Sequence, residues 1–395
     1  MRPLSRQALG TANVARVALL TLGRFPKALS MARSLKSAGW RVIVADPFKW
    51  HLCRVSSAVA KSVQVRAPND DADGFIDDLL EIIEMEHVSL VVPISEESHF
   101  VANLHSKAPS SVTVLGPSEA AYKALHHKLR FIERAEKLGL TVPETHMLGS
   151  VRGSSMGALR DTYVKPIAGC SGIGVRRHST DEPPIPASGD GELIQAAIEG
   201  QLISTLSLLH DGEICATTVY KGEVFSGSVA VCFRPAANDE LIRQWIESFS
   251  TDLTYTGFIA FDFIVDQAGT PWAIECNPRL TSGIHFLDPK ALGEWLKLEN
   301  AGRLTDSTDS SCQQWAYSTL TEAYALLFKG QFNDFIKSIK LLFSAKDVVW
   351  SWKDPLPFLL MTPLSWPILW PAIRERISLG EASQRDIAPH WQHKD

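Results

Sequence analysis

The chain has 395 residues, of which 45% are hydrophobic and 21% charged, which excludes a disordered protein and leaves room for two or three packed units. A formal net charge of −5 gives no basic excess to neutralise phosphates, so nucleic acid is not expected as the main partner. The six cysteines (Cys53, Cys170, Cys215, Cys232, Cys276, Cys312) fall at no CxxC spacing, which suits reduced thiols better than a disulfide framework or a zinc site.

No long apolar segment precedes Val17, so no secretory leader is expected and a cytoplasmic location is. Val14 to Leu22 is a buried strand by composition. Arg24 to Ala38 is helical by periodicity, with Ala28, Met31, Ala32 and Leu35 on one face, and Arg41 to Ala45 is a second strand ending at Asp46. Strand, helix and strand with short connections indicate a parallel, doubly wound unit. Its first turn, Leu22-Gly23-Arg24-Phe25-Pro26, lacks the GxGxxG fingerprint of a dinucleotide oxidoreductase. A helix over Asp73 to Glu86 and a strand over Leu90 to Pro93 follow. Glu96 and Glu97 then stand where ligands sit in open α/β sheets, although paired acids also suit the first turn of a helix. Val112 to Leu115 is a short strand and Gly116-Pro117-Ser118 a boundary. Ser118 with Glu119 can cap a helix over Ala120 to Ala124, and a helix over His127 to Leu138 carries Lys128 near its start.

Leu140-Thr141-Val142-Pro143 is an extended entry into a new unit. Tyr163 to Pro166 is a strand with one inward cation, Lys165, running into a loop that contains Gly169, Ser171, Gly172 and Gly174. Such glycines let backbone N–H groups approach phosphate oxygens, and Lys165 adds a point charge. The loop lies between strands and its spacing is not GxxxxGK[ST], so a plain glycine hairpin is also compatible with it. Leu193 to Gly200 is an apolar, strand-like run ending in a turn. Ser204 to Leu209 and Ile214 to Tyr220 are hairpin strands about Asp211-Gly212, Val224 to Phe233 a further strand, and Asp239 to Phe249 a helix.

The most informative stretch is Phe258 to Phe286. Two strands are expected around a turn at Asp266 to Gly269, where Gly269 can adopt positive φ. Asp262 interrupts the apolar run of the first strand, and Glu275 and Asn277, two apart, share one face of the second. Antiparallel pairing brings Asp262 opposite Glu275. Singly, each acid could be a solvent-facing edge charge; together with Asn277 and the following Pro278-Arg279 they form a set of hard oxygen donors suited to Mg²⁺ (or Mn²⁺).

Lys128, Lys165 with its glycine loop, the segment from Gln195 to Gly200, and Asp262…Glu275-x-Asn277 occur in the order seen in the ATP-grasp superfamily, which the chain resembles from about 14 to 290. The resemblance implies an α/β and α+β protein. A doubly wound pre-ATP-grasp domain (1–117) precedes a two-subdomain ATP-grasp fold (118–300, lid about 140–200) and a helical, Trp/Pro-rich C-terminal region (301–395). It implies that Lys128 and Lys165 hold the α- and β-phosphates of ATP, that Gly169 to Gly174 form the lid, and that Gln195, Ala197 and Ile198 border the adenine. It further implies that Asp262, Glu275 and Asn277 hold Mg²⁺, and that Arg279 stabilises the transferring phosphoryl group. Many members place a glutamate on the ribose; here the chain reads Gln201-Leu202, leaving Glu199 and Gln201 as candidates.

The implied activity is an ADP-forming carbon–nitrogen ligase, joining a carboxylate or enol-type oxygen to an amine, with homodimers usual in the family. A carboxylase, a carbamoyl-phosphate-type or kinase-like enzyme, and a non-catalytic nucleotide-binding module remain as alternatives. The run from Glu275 to His285 is similar to the carbamoyl-phosphate-synthase-like branch, and within it to ligases of the mycosporine-glycine synthase type. Lys27-Ala28-Leu29…Ala32-Arg33 and Lys353-Asp354-Pro355-Leu356-Pro357-Phe358 add to that likeness. His285 could face the acceptor or pack in the core.

Gln313 to Lys340 is expected as one or two helices. From Pro355 to Ile373 no residue is charged, but the prolines argue against a continuous spanning helix. This tail, with Trp350, Trp352, Trp366 and Trp370, either wraps the other domains and buries its tryptophans or lies peripherally on a bilayer surface.

Overall fold

The computed structural model describes residues 16–169, 172–182, 191–227, 229–237, 239–299, 302–304, 310–377 and 379–388. Three sheets organise them. The first is wholly parallel: β1 (Val17–Leu20), β2 (Arg41–Asp46), β3 (Lys61–Gln64), β4 (Leu90–Val92) and β5 (Thr113–Val114), in the order β3-β2-β1-β4-β5. The helix Pro26–Ser37 starts with a proline, whose missing N–H is no loss there, and buries Ala28, Leu29, Met31, Ala32 and Leu35. The helix Ala72–Glu86 is capped by Asp71, which accepts the Gly74 N–H at 2.9 Å. Ser118, expected to cap the helix Glu119–His126, makes no side-chain cap bond. Strand order reverses between β1 and β4. The crevice outside their carboxyl ends is where sheets of this kind hold ligands.

The second sheet is antiparallel, β6 (Thr145–Met147), β7 (Thr162–Pro166), β8 (Arg176–His178) and β9 (Glu192–Ala196), in the order β6-β9-β7-β8. The third comprises β10 (Gln201–His210), β11 (Glu213–Ser226), β12 (Val229–Pro235), β13 (Gly257–Val265), β14 (Pro271–Asn277), β15 (Gln313–Gln314) and β16 (Lys346–Asp347), in the order β14-β13-β10-β11-β12-β15-β16. The single strand expected over Val224 to Phe233 is instead two sides of a hairpin, turning at Gly227 (φ 61°) with Val224 opposite Cys232. Both sides bury apolar residues, so composition alone runs them together.

Period-2 alternation along β13 divides its residues between two faces. Phe261 and Phe263 enter a core cluster with Phe131, Trp245 and Phe249; the Trp245–Phe249 and Phe249–Phe261 ring centroids are 5.2 and 5.1 Å apart. Asp262 takes the opposite face. Phe131 lies on the helix Lys128–Lys137, so the same cluster fixes the helix that starts with Lys128.

The C-terminal region forms the helices Ala316–Phe328, Phe332–Ser344 and Met361–Glu375, the last with Pro367 and Pro371 inside. Among the described residues no helix is long and apolar enough to cross a membrane. The tail packs onto the first sheet's domain. Asp354 accepts hydrogen bonds from Arg33 Nε (3.1 Å), Ser56 Oγ (2.6 Å) and the Ser57 N–H (2.8 Å), and Arg24 bridges Asp46 (2.8 Å) and Asp386 (2.6 Å). Trp350 is half-buried, but the other three tail tryptophans are not buried as the wrapping expectation has them. Trp352 is 86% exposed and Trp366 and Trp370 are each 53% exposed. The helix turns its other face, Leu364 with Met361, inward.

Burial would raise the Asp354 carboxyl, but Ser56, Ser57 and Arg33 outweigh it and hold it below the usual range. Asp354→Ala is expected to lower stability by about 3 kcal/mol in urea unfolding at pH 7, because Arg33 and two further donors lose their acceptor. A depressed carboxylate contributes stability above its unfolded pKa and loses it as pH falls through the folded value. The gap between wild type and variant is therefore expected to narrow below about pH 4.

Candidate functional site

The hairpin of β13 and β14 closes through Asp266, whose N–H donates to the Thr270 carbonyl at 3.1 Å, with Gly269 at φ 84°. Its register sets Asp262 directly opposite Glu275 and Ala260 opposite Asn277. The register then shifts: Phe263 pairs with Ala273, leaving Ile274 as a bulge beside the two acids. Ser204 Oγ on β10 donates to Asp262 Oδ1 at 2.6 Å. Asn277 Nδ2 donates to Glu275 Oε1 at 3.1 Å and to Asp262 Oδ2 at 3.4 Å.

Three cations surround this trio. Lys128 Nζ lies 3.7 Å from Glu275 Oε2 and donates to the Gly169 carbonyl at 3.0 Å. Lys165 Nζ donates to Gln195 Oε1 at 2.7 Å, and Gln195 Nε2 donates to Thr145 Oγ1 at 3.0 Å. Arg279 donates to Asn277 Oδ1 at 3.2 Å and pairs with Glu96 Oε1 at 2.5 Å. Burial, then repulsion from Glu275, raises the Asp262 carboxyl to about 7. Burial pushes Glu275 upward too, but Lys128, the Asp262 hydrogen bond, Lys165 and Asn277 outweigh it and hold it low. The pair thus shares one proton at neutral pH, and its two steps belong to the pair. Burial, helped by Lys128 and opposed by both acids, lowers the Lys165 ammonium to about 8.

A divalent cation fits this arrangement. Two carboxylates sharing a proton are hard donors in want of positive charge, and a turn of the Asn277 amide would present its oxygen in place of its NH₂. Among the described residues no cluster of three or more His, Cys, Asp or Glu side chains gathers to hold a metal alone. A cation here would lean on Asn277 and on oxygens brought by a bound ligand.

The other expected residues fall around this centre. Gly169, Gly172 and Gly174, with φ of 156°, 66° and 75°, lie in the connection from β7 to β8, between strands as expected. Ser171 lies outside the described residues. Ala197, Ile198 and Glu199 form the link from β9 to β10, and the Ala197 N–H is already bonded to the Asp161 carbonyl at 3.0 Å. Glu199 and Gln201 are exposed. His285 lies at the wall of a cavity: it stacks on Phe233 at 5.7 Å, its Nδ1 is 2.9 Å from Ser30 Oγ, and burial lowers it to about 3.

Sequence reasoning missed three participants. Neither glutamate caps the following helix through its side chain: Glu97 accepts the N–H groups of Ile94 (2.6 Å) and Ser95 (2.9 Å) in the loop that leaves β4, while Glu96 is the buried partner of Arg279. The available signal for Glu96 was its place just past β4, at the reversal of strand order. Ser204 and Thr145 carried no signal in sequence, since each acts through a contact made only in the folded sheets.

Residues 125–283 match the family described as ATP-grasp domain. No curated protein matches the sequence. Solved structures do resemble it. N5-carboxyaminoimidazole ribonucleotide synthetase from Thermotoga maritima is 14% identical, with TM-score 0.56 over 75% of this chain and 79% of that one. N5-carboxyaminoimidazole synthetase from Staphylococcus aureus, complexed with ADP, is 15% identical, with TM-score 0.56 over 74% and 78%. The biotin carboxylase domain dimer of Hydrogenobacter thermophilus 2-oxoglutarate carboxylase, in complex with MgADP and bicarbonate, is 14% identical, with TM-score 0.57 over 74% and 71%. With the two-sheet architecture and the matched segment in agreement, the chain carries an ATP-grasp domain over residues 125–283.

Proposed function

We propose that the protein is an ADP-forming ligase that phosphorylates a carboxylate, or an enol-type oxygen, and passes the activated group to an amine. The observation that supports this most directly is the convergence of Lys128, Lys165 and Arg279 on the face shared by Asp262, Glu275 and Asn277. In this reading Lys128 and Lys165 hold the α- and β-phosphates of ATP, and the segment Gly169–Gly174 closes over them. The link from Gln195 through Ala197 and Ile198 to Glu199 borders the nucleoside. Asp262, Glu275 and Asn277 would hold Mg²⁺ or Mn²⁺, which when bound neutralises phosphate charge and orients the terminal phosphoryl group. The two kinds of ADP-bound and Mg-bound relative support the same assignment.

Arg279 takes the central role near the transferred group. Glu96 and Asn277 fix its guanidinium, and its remaining donors can grip a carboxylate or an acyl-phosphate at any working pH. A substrate carboxylate oxygen attacks the terminal phosphorus, and the bond to the bridging oxygen breaks with its electron pair leaving on ADP. The amine nitrogen then attacks the acyl carbon, phosphate departs, and the nitrogen releases its proton to solvent. Catalysis of this kind is mainly positioning and electrostatic stabilisation. The run from Glu275 to His285, whose likeness to the mycosporine-glycine synthase type is added to by the stretches that Arg33 and Asp354 join, favours an amino acid as the amine. A homodimer is part of this reading, as in the 2-oxoglutarate carboxylase relative.

Purified protein supplied with panels of acids and amino acids is expected to release ADP and phosphate only when both substrates are present. AMP as product would overturn the reading, and labelled bicarbonate entering the product would make it a carboxylase. Glu275→Gln is expected to lower kcat about 10³-fold, the scale for losing a buried electrostatic partner of the transition state. Asp262→Asn is expected to raise the thermal unfolding temperature of the metal-free protein in EDTA at pH 8, because it removes a carboxylate that burial and Glu275 both penalise when ionised. The same variant is expected to lose the further stabilisation that MgATP gives the wild type.

Exposed Trp352, Trp366 and Trp370 support a second part of the proposal, peripheral contact with a bilayer surface. Full-length protein is expected to float with anionic liposomes and the variant with all three changed to serine is not. Wild type that stays at the bottom of the gradient removes the membrane contact.

A further inference from the structure

A cavity of about 170 Å³ lies between the first sheet's domain, β12 and the C-terminal helices. Phe25, Val231, Phe233, Trp315, Leu364 and Ile368 make much of its wall apolar. Its two charged lining groups are Arg24, locked between Asp46 and Asp386, and Lys27. Lys27 Nζ donates to Ser95 Oγ at 3.2 Å and to the Leu280 carbonyl at 3.1 Å. Those two acceptors place the Lys27 end of the cavity. Ser95 precedes Glu96 and Leu280 follows Arg279, so this end sits one residue from each member of the Glu96–Arg279 pair. The same end is the crevice outside β1 and β4, where the strand order reverses.

We infer that this cavity receives the apolar body of the acid substrate, an aryl- or alkyl-substituted carboxylic acid whose carboxylate lies at Lys27 and points toward Arg279. The inference rests on the ligase reading above and specifies its substrate class. The volume suits a ring or a short alkyl chain, since an engineered apolar cavity of about 150 Å³ accepts benzene. Apolar walls repay burial of hydrocarbon at about 25 cal/mol per Å², whereas bicarbonate or a short polar acid gains nothing from them. Leu364 and Ile368 come from the tail, so the C-terminal helices supply part of the specificity.

The full chain is titrated with 3-phenylpropionate and octanoate, beside acetate and bicarbonate, by saturation-transfer NMR. Binding of a fluorescent ATP analogue is followed separately, and ADP release is measured with an amino-acid panel. Expected are binding of the two larger acids, none of acetate, and ADP release stimulated by the larger acids. Ile368→Trp, which fills the cavity, is expected to weaken 3-phenylpropionate at least tenfold with the ATP-analogue affinity unchanged. Leu364→Ala, which enlarges it, is expected to shift preference toward octanoate. If ATP analogue binds but acetate matches 3-phenylpropionate, or neither variant alters acid binding, the cavity assignment is overturned and the ligase reading stands. If the wild type binds no ATP analogue, the ligase reading falls and the assignment of this cavity to its substrate falls with it.

Discussion

Two carboxylates forced together across neighbouring strands are the constraint on which the rest of the site depends. Like charges about 4 Å apart cost about 4 kcal/mol at an effective dielectric of about 20, and burial adds to that. Asp262 and Glu275 cannot move apart, because Phe261 and Phe263 on the other face of β13 are locked into a close-packed aromatic cluster. The strain is met by three cations from three different parts of the chain: Lys128 from the first turn of its helix, Lys165 from β7, and Arg279 just past β14. Each carries a second tie to its own neighbourhood, through Gly169, Gln195 and Glu96 respectively. The acid pair therefore joins the sheet of β6 to β9, the large sheet and the first domain into one electrostatic unit.

That unit also explains why the centre is set for a cation without being built as a closed metal cage. A raised Asp262 carboxyl and a depressed Lys165 ammonium are both what burial produces, since each loses water around its charged form. A structural site would add a third carboxylate. Here the third group is an amide, Asn277, and the outer positions are cationic, an arrangement that favours a cation arriving together with anionic oxygens.

What could be read from sequence was what is local. The β13–β14 hairpin declared itself through a turn residue at Gly269, alternation along each strand, and an acid inside an apolar run, all within one short segment. The alternating strands and helices of the first domain did the same, since each helix buries a periodic stripe. Contacts between distant segments left no such trace. Glu96 could not be matched to Arg279, because any acid near a helix start looks like a favourable dipole partner. Val224 to Phe233 read as one strand although Ser226-Gly227-Ser228 offers a turn signal, because the apolar residues on either side outweighed that short polar break. In the tail, composition fixed that tryptophans and prolines were abundant, but which face of the helix Met361–Glu375 they occupy depends on where Leu364 docks.

The tail then links architecture to chemistry. An open parallel sheet leaves the crevice at its strand-order reversal exposed to water, and under the proposed ligase activity an acyl-phosphate formed there would hydrolyse. In this chain Asp354 and Asp386 anchor the tail to Arg33, Ser56 and Arg24, all on the loops and helix that follow β1 and β2. The anchors are ionic and lie at the edge of the crevice, while the helix between them presents aliphatic side chains to its interior. If the cavity receives the substrate as inferred above, the ATP-grasp core can stay fixed while the C-terminal segment sets what is admitted beside it.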